Sequence, residues 1–98
     1  MTLGDRDLER DVLVLFERQI FLLMERIELA GNAVAAASAH TLIGSARGIG
    51  AFAVARAAAE VEAASVRGDA AGREQGTSHL RAAIRDTQVE IAGLVTSA

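Results

Sequence analysis

Not one proline interrupts the 98 residues of this chain, so only its nine glycines and its polar caps can end a helix. Hydrophobic residues make up 51% of the sequence and aromatics only 3%. The apolar content is mostly Ala, Val, Leu and Ile, which suits close helix packing, whereas strands would call for more aromatic side chains. The length allows one domain across residues 1–98 and no second lobe, so any reactive group must stand on the surface.

Apolar periodicity predicts four helices. The first runs from Asp7 to Ala30, with Leu8, Val12, Leu15, Phe16, Gln19, Leu23, Ile27 and Ala30 on its inward face; Gly31 is a stop and Asn32 a new N-cap. Val14 and Phe21 fall among its charged residues, either as part of a docking patch or against another piece of the same chain. The second helix runs from Ala33 to Gly48, with Val34, Ser38, Leu42 and Ser45 inward, and Gly48-Ile49-Gly50 forms a tight connection or bend. The third spans Ala51 to Val66, with Phe52, Val54, Ala57, Ala58, Val61 and Ala64 inward and Arg56, Glu60 and Glu62 open to solvent. Residues Ala70 to Gly76 read as loop or as a poorly formed first turn. From Thr77 or Ser78, as cap, a fourth helix follows to Thr96, with Leu80, Ile84, Thr87, Ile91 and Leu94 inward. Four amphipathic helices with short connections predict an all-α, up-down antiparallel four-helix bundle.

Charge and residue usage exclude several function classes. Net charge is −3 and the ten basic residues, all arginine, are scattered, so the electrostatic footprint of a nucleic-acid binder is missing. The run from Val12 to Leu29 is broken by charges at helical spacing, so it predicts an amphipathic helix and not a membrane span. With no cysteine there are no thiolate sites, and two distant histidines without a carboxylate pair at ligand spacing predict no metal centre. The polar start of the sequence does not read as a secretory signal, and cytoplasmic localisation is the expectation. No nucleophile elbow or phosphate loop is visible, and nothing around His79 reads as a site.

The chemistry gathers in Ala39-His40-Thr41-Leu42-Ile43-Gly44-Ser45-Ala46-Arg47-Gly48-Ile49-Gly50-Ala51. On a helical wheel His40 points away from Leu42, Ser45 and Ile49, and its neighbours one turn away are Ala36, Ala37, Ile43 and Gly44, with Arg47 a turn further. An outward imidazole thus sits among mostly small side chains. A glycine inside a helix costs roughly 1 kcal/mol relative to alanine. Gly44 therefore calls for a reason, either access to the imidazole or close contact with a neighbouring helix.

This string resembles the histidine phosphotransfer domains of multistep bacterial phosphorelays, whose core motif is His-x-x-Lys-Gly with a second glycine six residues after the first. His40, Gly44 and Gly50 match, supported by Ala39, Thr41, Leu42, Ser45, Ala46, Ile49 and Ala51. The resemblance implies that His40 is a phosphoacceptor exchanging a phosphoryl group with the aspartate of a response-regulator receiver domain, downstream of a sensor or hybrid histidine kinase. It implies a phosphotransfer intermediate and not a turnover enzyme. No cofactor is implied on this chain, the magnesium ion belonging to the receiver, and a monomer is expected. Gly44, Arg47, Ile43, Ala36 and Ala37 are the residues placed to support the phosphoryl group or the partner.

One position departs from the pattern: Ile43 stands where the family has lysine, and isoleucine neither donates a hydrogen bond nor carries charge. Arg47 is the nearest substitute cation on that face, and Arg56 a weaker one. The alternative function is a degenerate module that docks receivers without carrying phosphate. The dimerisation core of a histidine kinase and a purely structural bundle are the remaining readings.

Overall fold

The computed structural model describes residues 2–96, with side chains from 7 to 93, as four helices and no strand. They are α1 (Thr2–Leu29), α2 (Asn32–Gly48), α3 (Phe52–Arg67) and α4 (Ala70–Thr96). Each packs on the next and α1 also meets α4, which closes an up-down antiparallel four-helix bundle. With no proline to stop them, α1 and α4 reach 28 and 27 residues while α2 and α3 stop at 17 and 16. Two short helices therefore lie beside two long ones in a body 48 Å long and 19 Å across.

Where α2 and α3 stop is decided by glycine. Gly50 and Gly68 have φ of +82° and +69°, a conformation that side chains disfavour. After α2, Ala51 N–H donates to Ala46 O (2.8 Å) and Gly50 N–H to Arg47 O (3.2 Å). After α3, Asp69 N–H donates to Ala64 O (2.9 Å) and Gly68 N–H to Ser65 O (3.2 Å). Both ends are the same left-handed glycine cap, which satisfies carbonyls that the helix itself leaves open. Gly50, one of the two motif glycines, thus has a purely structural use.

The start of α4 differs from the expectation. Asp69 Oδ1 accepts from Gly72 N–H at 2.9 Å, so the helix is capped there and Ala70 to Gly76 are helical from the first turn. Thr77 is not a cap; it is buried within α4 and its hydroxyl donates to Arg73 O (2.7 Å). Asn32 is not a cap either. Gly31 holds that place without a side-chain bond, and Asn32 Oδ1 accepts from Arg73 (2.8 Å). The same guanidinium donates to Ile27 O (2.7 Å) and Ala30 O (2.6 Å), closing the C-terminal end of α1 from across the bundle.

The core joins Phe16, Ile20, Leu23 and Ile27 of α1 to Leu42 and Ala46 of α2, Val54, Ala58 and Val61 of α3, and Leu80, Ile84 and Ile91 of α4. Alanines on α2 and α3 let the backbones approach. Gly76 does the same on α4, where an added Cβ would stand 3.1 Å from the backbone nitrogen of Val61. Leu8, Val12 and Leu15, expected inward, are exposed. The buried stripe centres on Ile20 and Ile27, and Leu8 and Leu15 lie roughly a third of a turn round the helix from it. Val34 and Phe52 are exposed as well, each in the first turn of its helix. Val14 is half-buried and Phe21 fully on the surface. Leu94 lies outside the residues whose side chains are described.

Candidate functional site

The buried side of α2 carries Ala35, Ser38, Ala39, Leu42, Ile43 and Ala46, and the helix turns His40 to the other side. Its imidazole is 76% exposed. The ring is nevertheless oriented: Nδ1 lies 3.0 Å from Oε2 of Glu62, which reaches across from α3 and is itself 33% exposed. A carboxylate can only accept, so Nδ1 carries the proton and donates it to Glu62. In the neutral ring the lone pair is then on Nε2.

Space beside the ring is real. A Cβ added to Gly44 would meet nothing within 4 Å, so no neighbouring helix explains this glycine. Ala37 is exposed and Ala36 half-buried. Gly44 and Gly50, which look equivalent in the motif, thus have different reasons: Gly50 is needed to end α2, and Gly44 keeps a flank bare.

Ile43 is only 7% exposed and belongs to the core cluster, so its position on the His40 face is the inner edge of that face. α2 uses this position against its neighbours, where an ammonium would have to be desolvated. Arg47 is exposed two turns beyond His40, about 10 Å along the axis. It is the only arginine that α2 carries. Arg56 is placed elsewhere: it lines a shallow groove of about 470 Å³ with Glu60 and Asp86, on the α4 side of α3.

Glu62 was expected to face solvent, and periodicity alone gives no sign that it faces His40. Across the same helix a second pair forms, with His79 Nδ1 lying 3.3 Å from the Glu60 carboxylate. His79 therefore has a partner where none was expected, and the pair lines the same groove as Arg56 and Asp86. Among the described residues no cluster of three or more His, Cys, Asp or Glu side chains is placed to hold a metal ion, and no helix is long and apolar enough to cross a membrane. No family model, no curated protein and no solved structure matches the chain.

Proposed function

We propose that this chain is a phosphorelay phosphocarrier of the histidine phosphotransfer type, with His40 as its phosphoacceptor. The observation that supports this most is the exposed ring of His40, tied at Nδ1 to Glu62, with the bare Gly44 one turn along the same helix. Nε2 attacks the phosphorus of an aspartyl phosphate on a receiver domain. The Nε2–P bond forms, the P–O bond to the acyl oxygen breaks, and its electron pair leaves with the aspartate carboxylate. The ring keeps its Nδ1 proton and gains positive charge, which the Glu62 carboxylate offsets. Reversal of the same step hands the phosphoryl group to another receiver.

Such transfer depends on alignment and charge stabilisation more than on covalent machinery in the carrier. The receiver brings the magnesium ion and its acidic pocket. This chain brings a fixed nucleophile, with Arg47 near the phosphoryl oxygens, and performs no turnover of its own in a cytoplasmic relay. The test is incubation with a labelled, phosphorylated receiver, comparing wild type with His40→Gln. Acid-labile, base-stable label on the wild type alone is the expected result; equal label on both sinks the reading.

Ile43 favours a second reading, a module that docks receivers without accepting phosphate, because its burial leaves no cation at the motif's lysine position. Receiver binding with no label on His40 would select it.

A further inference from the structure

Leu8, Leu15, Leu22 and Leu29 recur every seventh residue along α1, and they are 62, 60, 55 and 81% exposed. They take no part in the core, which α1 supplies through Phe16, Ile20, Leu23 and Ile27. The helix therefore carries two apolar stripes, one turned in and one turned out. A leucine every seventh residue, with a second set of positions four residues after each, is the seam of a left-handed coiled coil. That second set is Val12, Gln19 and Arg26.

We infer that this outer stripe of α1 pairs with α1 of a second copy of the chain, parallel and in register. The interleaved residues choose the occupant. In a parallel two-fold pair the Gln19 amides of the two copies meet, and an amide, being both donor and acceptor, satisfies its own kind. An antiparallel pair would set Gln19 against a leucine and leave the amide without a partner. In the next layer Arg26 meets Arg26 of the second copy, a like-charge contact that Glu25 of each helix flanks and offsets and that further weakens the pair. The contact continues onto α2, because a shallow groove of about 410 Å³ lined by Val12, Leu15, Gln19, Ser45 and Ile49 opens along the stripe.

The size of the contact sets its strength. Twenty-one residues of helix span roughly 32 Å. One helix pair of that length covers less than the roughly 800 Å² per partner of a standard stable interface. The dimer is therefore weak, with dissociation on the order of micromolar or above. The monomer expected from sequence is its dilute form.

Sedimentation equilibrium of the full chain from about 1 to 500 µM tests this over the range set by that affinity. Wild type shifts from one chain to two as concentration rises. The double variant Leu15→Glu/Leu22→Glu keeps the mass of one chain and the same helical circular dichroism, since both leucines are exposed. The chain has no cysteine, so Gln19→Cys supplies a single thiol, and oxidation gives a covalent dimer if the copies are parallel and in register. A wild type that stays single throughout, or a double variant that associates like wild type, overturns the inference. A dimer in which Cys at 19 does not cross-link overturns the parallel arrangement.

Discussion

Glu62 of α3 holds the Nδ1 edge of His40 of α2 at 3.0 Å, and that contact leaves Nε2 as the nitrogen that would attack phosphorus in the proposed function. The carboxylate is partly exposed, so water and salt weaken its field and its main work is orientation. Glu62→Gln keeps an acceptor for the ring proton, while Glu62→Ala removes it. We expect phosphotransfer to slow roughly three- to tenfold for the alanine variant and less for glutamine. Nitrogen NMR of His40 should show the proton no longer confined to Nδ1 in the alanine variant. Unchanged rates together with an unchanged tautomer would remove the role assigned to Glu62.

Gly44 separates access from packing. Because an added Cβ meets nothing, Gly44→Ala should raise stability by about 1 kcal/mol in urea titrations through helix propensity alone. Gly44→Leu should also fold, yet slow transfer by crowding Nε2. Loss of stability in either variant would show that the glycine is needed inside the bundle.

Ile43→Lys restores the residue of the motif at a buried position. Stability should fall by about 2–3 kcal/mol, because apolar burial is lost and the ammonium must reach water past its neighbours. Chemical denaturation measures the fall, and transfer by the remaining folded protein then reports whether the added cation helps.

Arg73 ties α4 to the end of α1 through Ile27 O, Ala30 O and Asn32 Oδ1. Arg73→Ala leaves these acceptors without their charged donor and should cost about 1.5–3 kcal/mol. Hydrogen exchange should show the α1–α2 junction opening first.

Ser65 is buried, and its Oγ has no hydrogen-bond partner among the described residues. Ser65→Ala removes an unsatisfied hydroxyl at little cost in volume. A gain of about 1 kcal/mol follows, and Tm should rise by roughly 4–8 °C for a domain of this size.

The all-α class, the number of helices and the outward direction of His40 were legible in the residues themselves. Each follows from local spacing: apolar positions at three and four, glycines where helices end, no proline between. The start of α4 was misplaced: Asp69, directly after the glycine that closes α3, caps it, and an alanine- and glycine-rich first turn concealed this. What only the tertiary structure decided is which flank of each helix a neighbour covers. Ile43 is in the core, Leu15 is on the surface, and Glu62, twenty-two positions from His40, is at its side. Periodicity specifies the angle at which a side chain leaves its helix. It carries no information on where the next helix crosses or how far it extends, and burial and pairing depend on both.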